Sequence, residues 1–139
     1  MALDLSSLQK AVDSLQRAIN VASSLKNNEQ NKDNIEVVRA GVIQNFEFTY
    51  ELCWKFMKRW LEINGEGAAV DGVTRKELFR IAAERRLIEN VEAWFEYTGS
   101  RNETAHTYDP QTASHVFESA KSFLGDSKLL LKHLKEKND

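Results

Sequence analysis

Residues that build turn-rich, disulfide-bonded or membrane-spanning proteins are scarce in this chain. One proline and six glycines among 139 residues favour long helices over a turn-rich β architecture. Cys53 is the only cysteine, which excludes an internal disulfide and multi-cysteine metal sites. Its neighbours are apolar, so we expect a buried, unreactive thiol. No run approaches the ~18 apolar residues that a membrane helix needs.

An excess of charge of one sign is lacking too, because the net charge is only −2. This balance excludes a strong overall attraction to nucleic acid or to an anionic membrane. Residues 54–86 nevertheless hold eight basic and five acidic residues, which indicates either a local basic surface or a solvated helix face. The first residues lack the basic and apolar regions of a signal peptide. We expect a cytoplasmic protein with a single helical domain over residues 1–139.

Apolar residues recur every three or four positions along most of the chain, which predicts amphipathic helices. A capping box at Thr74 and Glu77 and an N-cap at Asn90 mark the starts of two short helices. The predicted helices cover residues 5–25, 35–63, 74–86, 91–98 and a last stretch that starts at Asp109-Pro110. The predicted fold class is all-α, an up-down helical bundle of three long and two short helices.

The second predicted helix carries more apolar surface than a monomer's surface helix needs. Its large side chains cover about 240° of the helix circumference and leave a polar stripe of about 80°, whereas a surface helix needs an apolar stripe of roughly 100°. This helix is therefore either the centre of the bundle or a surface that packs against a second copy. We favour a homodimer with C2 symmetry, because so many exposed large side chains would form an unusual patch.

Arg101, His106 and Tyr108 place a fixed cation, an imidazole and a phenol within eight residues, just before the only proline. A guanidinium binds phosphate in a fork, and histidine is the side chain suited to taking and returning a proton near neutral pH. Together they could act on a phosphodiester without a metal. A structural role is also open, because Arg101 could pair with Glu103 or Glu96, and His106 could cap a helix.

Other chemically capable residues favour structural explanations. Glu47 and Glu51 lie one turn apart and could bind a metal, but Lys55 and Lys58 on the same stripe favour an ion-pair ladder. Histidines without acidic neighbours at ligand spacing are expected on the surface, and tryptophans at helical spacing are expected in the core. These residues are His115, His133, Trp54, Trp60 and Trp94.

The spacing Arg101-x4-His106-x-Tyr108 fits the R-x4-H-x-Y motif of the HEPN superfamily of small helical proteins. Together with the segment 46–55, FEFTYELCWK, it resembles the branch called nucleotidyltransferase substrate-binding protein, which is similar to the HepT toxins. The resemblance covers nearly the whole chain. It implies an all-α bundle that dimerises, with the motif residues of both copies in one cleft.

The resemblance also implies a function. Many members are metal-independent ribonucleases without a cofactor, paired with a minimal nucleotidyltransferase that acts as antitoxin and adds AMP to the motif tyrosine. Carried onto this chain, Arg101 and His106 would be the catalytic pair and Tyr108 the modified residue. Asn102 would be a polar neighbour that holds Arg101 or touches phosphate. RNA or a nucleotide is the implied substrate.

Two other functions stay open at this point. The chain could be a non-catalytic subunit that docks a nucleotidyltransferase and presents a substrate or its own Tyr108. It could also be a plain helical oligomer with a structural motif. The intact Arg101–His106 pair favours the ribonuclease, and the net charge of −2 favours the docking subunit, since RNA binding usually draws on a positive surface.

Overall fold

The computed structural model describes residues 2–138, and every regular element within that range is helical. The long helices are α1 (Ser6–Ser24), α2 (Lys32–Leu61) and α6 (Pro110–Glu136). The shorter ones are α3 (Gly67–Val70), α4 (Arg75–Glu84) and α5 (Val91–Glu103). Single turns of 3-10 helix occupy Glu29–Asn31 and Thr104–His106, and the chain kinks within Glu62–Glu66, where Asn64 and Gly65 (φ 91°) leave helical geometry. The predicted all-α class is confirmed, with α3 as an unpredicted one-turn addition.

Helix starts follow the predicted local signals. The Thr74 hydroxyl accepts from the Glu77 amide at 3.2 Å, and the Asn90 side chain accepts from the Ala93 amide at 3.2 Å. Pro110 is the first residue of α6, where its missing N–H leaves no intrahelical bond unmade. Each start is confirmed because capping depends only on residues within one turn.

Helix α4 ends at Glu84, two residues earlier than predicted. The C-terminal cap that follows has Arg86 at the position where glycine is usual. Arg86 has a φ of 61°, the left-handed conformation that usually belongs to glycine. Its amide donates to Ala83 O at 3.0 Å, and the amide of Leu87 donates to Ala82 O at 2.9 Å. These two bonds satisfy carbonyl groups at the helix end.

Helix α5 corrects the prediction that Gly99 and Ser100 end it at residue 98, because the helix continues to Glu103. A glycine inside a helix costs about 1 kcal/mol relative to alanine. Tertiary contacts offset that cost, since Ser100 is buried and its Oγ lies 2.7 Å from Ser119 Oγ of α6. Arg101 therefore lies in the last turn of a helix and not in a loop.

Helix α2 is the central helix, since α1, α4, α5 and α6 all pack against it. Most of its wide apolar arc is buried by these neighbours within one chain, which is the first of the two explanations considered above. Two apolar residues of α2 remain exposed, Val37 at 72% and Phe48 at 56%. The buried residues of α2 are Val42, Ile43, Phe46, Thr49, Tyr50, Cys53, Phe56, Met57, Trp60 and Leu61.

Aromatic packing fixes α5 against α2 and α6. The Phe123 ring of α6 meets Phe46 of α2 edge-on at 5.1 Å between centroids. It meets Trp94 and Tyr97 of α5 in the same way, at 5.5 and 5.1 Å. Edge-to-face pairs of this kind add to the burial of apolar area. The last turn of α5, with Arg101, is held at a defined place beside α2.

Two further sequence predictions concern burial and membranes. Cys53 is fully buried, and desolvation raises the pKa of its thiol far above the usual range, so the predicted inert thiol is confirmed. Across residues 2–138, no helix has both the length and the apolar character required to span a bilayer.

Candidate functional site

Arg101 is held by two carboxylates of α2. Its Nε donates to Glu51 Oε1 at 3.0 Å, and its Nη1 lies 3.3 Å from Glu47 Oε2. Glu47 and Glu51 are one helical turn apart, so both face the same side of α2. About a third of each of the three side chains is exposed. The guanidinium therefore ties the end of α5 to the middle of α2.

These pairs correct two sequence predictions. Glu47 and Glu51 bind Arg101 of another helix and not Lys55 and Lys58 in a ladder along α2. Arg101 in turn pairs with neither Glu103 nor Glu96, although both are closer in sequence. The planar fork of a guanidinium can bridge two carboxylates at once, which a lysine ammonium does less well. Within residues 2–138, no cluster of three or more His, Cys, Asp or Glu side chains could hold a metal ion.

Thr104 completes the cluster, and sequence reasoning missed it. Its Oγ1 lies 2.8 Å from Glu47 Oε2 and 2.7 Å from the Arg101 carbonyl oxygen, so its single hydrogen donates to one of them. Thr104 Oγ1 also accepts a hydrogen bond from Arg101 Nη1 at 3.2 Å. Arg101 Nη2, by contrast, makes no hydrogen bond to the described part of the protein. Nη2 is therefore the guanidinium nitrogen left to donate to a ligand.

A second arginine joins the cluster through Trp54. The indole Nε1 donates to Glu51 Oε2 at 2.8 Å, so both oxygens of Glu51 are used. The guanidinium carbon of Arg75 lies 3.8 Å from the Trp54 ring centroid, and its Nη1 donates to Tyr50 Oη at 3.2 Å. The series Arg101, Glu51, Trp54, Arg75 thus connects the motif to the start of α4.

Trp54 also corrects the prediction that all three tryptophans belong to the core. Trp60 and Trp94 are buried, as predicted, but Trp54 is partly exposed. One face of its ring is covered by Arg75. Helical spacing alone could not separate this residue from the core positions, because it lies at the edge of the apolar arc of α2.

His106 and Tyr108 lie on the other side of the motif, in the segment between α5 and α6. Both are exposed, with 84% of Tyr108 accessible, and their rings stand edge to face with centroids 6.0 Å apart. The His106 carbonyl accepts from the Asp109 amide at 3.2 Å, whereas its imidazole caps no helix in the described chain. No hydrogen bond or ion pair within residues 2–138 joins His106 to Arg101. Asn102 is exposed.

The remaining histidines differ from each other. His115 is exposed as predicted, with Nε2 3.9 Å from Glu103 Oε1. His133 is not a surface residue as predicted, because only 21% of its side chain is exposed and its Nε2 is buried without a partner among the described residues. Neither histidine is part of the Arg101 cluster.

The helical architecture agrees with comparisons to known proteins. A family model described as "Nucleotidyltransferase substrate binding protein like" matches residues 3–136. The chain belongs to this family. The resemblance to the nucleotidyltransferase substrate-binding branch, drawn above from the R-x4-H-x-Y motif and the segment 46–55, is thereby confirmed.

Two similar proteins support the same assignment. A Haemophilus influenzae protein named "Probable ribonuclease HepT" is 40% identical over 102 residues, which cover 71% of this chain and 68% of that protein. A solved Haemophilus influenzae structure, described as the fold of a substrate-binding domain of a nucleotidyltransferase, matches with a TM-score of 0.85 and 32% identity. The match covers 95% of this chain and 99% of that one.

A second solved structure, from Thermus thermophilus, matches with a TM-score of 0.72 and 24% identity. The match covers 92% of this chain and 98% of that chain. At this identity the likeness shows the fold alone. The all-α arrangement of this chain is thus found in two solved structures.

Proposed function

We propose that this protein is a metal-independent endoribonuclease, the toxin of a HEPN–nucleotidyltransferase toxin–antitoxin pair, with Arg101 and His106 as catalytic residues. The observation that carries the proposal is the geometry of Arg101. Its Nε and Nη1 are held by Glu51 and Glu47, while Nη2 makes no hydrogen bond to the described chain. An arginine positioned in this way can donate to a phosphate oxygen through Nη2. The name of the Haemophilus influenzae relative supports the same activity.

The proposed reaction is an internal transesterification of RNA. His106 takes the proton of a ribose 2′-hydroxyl, and the 2′-oxygen attacks the adjacent phosphorus. The bond from phosphorus to the 5′-oxygen breaks, and that oxygen receives a proton from a second imidazole. The products are a 2′,3′-cyclic phosphate and a 5′-hydroxyl. Arg101 stabilises the added negative charge on the phosphorane, and Asn102 is a further polar contact for phosphate.

A homodimer would supply the second imidazole from the partner copy. Phe48 supports this arrangement, because it is an aromatic residue of α2 that is 56% exposed. It follows Glu47 directly, so an interface centred on Phe48 would bring two Arg101 clusters near each other. The dimer prediction now rests on this residue and not on the wide arc of α2.

Silencing by a partner nucleotidyltransferase completes the proposal. The phenol oxygen of Tyr108 attacks the α-phosphorus of ATP, pyrophosphate leaves, and the phenol proton passes to a base of the partner or to water. Tyr108 is 84% exposed, so another enzyme's active site can reach it. The attached AMP would add negative charge beside His106 and oppose the binding of RNA.

The alternative, a non-catalytic subunit that docks the nucleotidyltransferase, is favoured by one observation. Glu47 and Glu51 already pair with Arg101, so the charge of its guanidinium is offset before any phosphate binds. The solved Haemophilus influenzae neighbour is described as a substrate-binding domain. Under this alternative Arg101 is purely structural.

Cleavage of a labelled RNA by the purified protein in EDTA separates the two functions. We expect the His106→Ala and Arg101→Ala variants to lose at least about a hundredfold in rate, the usual contribution of a positioned acid or base. His115→Ala is the matched control, since His115 is an exposed histidine outside the cluster. Equal cleavage by all four proteins, or none by the wild type, would overturn the ribonuclease assignment.

A further inference from the structure

A cavity of about 400 Å³ lies between the start of α2 and the start of α6. None of its lining residues belongs to the Arg101 cluster, but Tyr108 of the motif forms part of its wall. The volume falls within the range of pockets that bind small molecules. The residues that bear on its chemistry are Glu36, Arg39, Ile43, Tyr108 and Ala113.

Arg39 provides a cation for an anionic group. Its guanidinium carbon lies 4.8 Å from the centroid of the Phe117 ring, which holds the side chain by cation–π contact. Within residues 2–138 it forms no ion pair and no side-chain hydrogen bond. Its N–H donors are therefore free, and a guanidinium is well suited to binding phosphate. The start of α6, a helix of 27 residues, lines the same cavity and adds a positive dipole end.

The rest of the wall suits a nucleoside. Ile43 and Ala113 give an apolar surface, and the Tyr108 ring offers an aromatic one against which a base can stack. Glu36 is exposed at the cavity, and its carboxylate can accept a hydrogen bond from a ribose hydroxyl. One cation, one acceptor, an aromatic ring and an apolar wall are the groups that a nucleotide requires.

We propose that this cavity binds a nucleoside monophosphate unit, with its phosphate on Arg39 and the start of α6 and its base against Tyr108 and Ile43. The unit has two candidate sources with the same chemistry, namely a nucleotide of an RNA strand and an AMP group attached to Tyr108. The identity of the source rests on the proposed function, whereas the binding itself does not.

Calorimetric titration with 5′-AMP tests the binding in the purified full chain. We expect Arg39→Gln to weaken 5′-AMP at least tenfold and to leave adenosine, which lacks the phosphate, unchanged. Arg17→Gln is the matched control, because Arg17 is an exposed arginine of α1 outside the cavity. Circular dichroism checks that each variant is folded. Equal 5′-AMP affinity in the wild type and Arg39→Gln, or no binding at millimolar 5′-AMP, would overturn the proposal.

Two further measurements distinguish the sources. A raised KM for RNA in Arg39→Gln, with kcat unchanged, identifies the RNA strand as the occupant. Loss of 5′-AMP binding after the protein has been adenylylated by its nucleotidyltransferase identifies the AMP on Tyr108.

RNA cleavage and 5′-AMP binding are both measured on the wild type. If the wild type binds 5′-AMP but fails to cleave RNA, the ribonuclease function fails and the nucleotide pocket stands. A protein that cleaves RNA but binds no 5′-AMP would overturn the pocket alone.

Discussion

Trp54 and Glu51, three residues apart on α2, are joined by a hydrogen bond of 2.8 Å from the indole Nε1 to Oε2. The other oxygen of Glu51 accepts from Arg101 Nε at 3.0 Å. Glu51 thus orients the motif arginine while its own orientation is set by an aromatic side chain. Because both carboxylate oxygens of Glu51 accept hydrogen bonds, its side chain is held in one conformation and positions Arg101 more firmly than a mobile side chain would.

Glu51→Ala should lower the free energy of unfolding by about 1 kcal/mol. Hydrogen bonds to charged groups contribute about 1.5–3 kcal/mol, and the exposure of a third of both side chains reduces that contribution. Urea unfolding measures the difference. Glu84→Ala, an exposed glutamate at the end of α4, is the control and should show no loss. An unchanged midpoint for Glu51→Ala would mean that the Arg101 ion pair contributes nothing to the fold.

Arg86→Gly should stabilise the protein by about 1 kcal/mol. Arg86 adopts a φ of 61°, a conformation that costs L-residues roughly 1–2 kcal/mol and glycine almost nothing. The larger backbone entropy of glycine in the unfolded chain offsets part of the gain. Arg80→Gly, within α4, should instead destabilise by about 1 kcal/mol. Thermal and urea unfolding of the two variants should therefore shift in opposite directions.

Cys53 should make stability fall as the pH rises above about 8.5, the ordinary pKa of a free thiol. Burial raises the pKa of the Cys53 thiol in the folded state, so above that pH the unfolded chain releases a proton that the folded chain retains. The contribution is fully present below about pH 8.5 and is lost at up to about 1.4 kcal/mol per pH unit above it.

Cys53→Ala should remove this pH dependence between about pH 8.5 and 10. Tyr97, whose pKa is raised by burial and by its hydrogen bond to Asp126, acts only above about pH 10, the ordinary pKa of tyrosine. Urea unfolding at a series of pH values gives the slopes. Identical slopes for the wild type and Cys53→Ala would contradict the prediction.

Tyr108 should be the only tyrosine that a partner nucleotidyltransferase modifies. It is 84% exposed, whereas Tyr50 and Tyr97 are buried. Co-expression with the partner should therefore add one or more AMP masses to the intact protein, and Tyr108→Phe should abolish the addition. Tyr97→Phe is the control that should leave it unchanged. AMP found on Tyr108→Phe would place the modification elsewhere.

Local signals made most of the fold predictable. The side-chain caps of Thr74 and Asn90 and the proline at position 110 act within one helical turn, so the sequence alone places three helix starts. Gly99 and Ser100 led to a wrong prediction of the end of α5, because packing against α6, and not local sequence, decides where this helix ends. Local propensity is overridden wherever burial contributes more.

The sequence predicts the residues of the candidate site but not the side chains that hold them in place. The R-x4-H-x-Y spacing singles out Arg101, His106 and Tyr108, yet the carboxylates that hold Arg101 lie 50 and 54 residues away in sequence. Such pairs depend on how α5 crosses α2, which no single-helix pattern encodes. The roles of Thr104 and Trp54 were missed for the same reason.

The double role of α2 links the protein's packing to the geometry of its motif. One face of the helix carries the buried Phe46 and Tyr50, and the adjacent face, about 100° away, carries Glu47 and Glu51. An axial slip of α2 by one residue, about 1.5 Å, would also rotate it by about 100°. Both carboxylates would then leave hydrogen-bonding range of Arg101. A substitution deep in the interior, far from any ligand, can therefore change the contacts of Arg101 by shifting the position of α2.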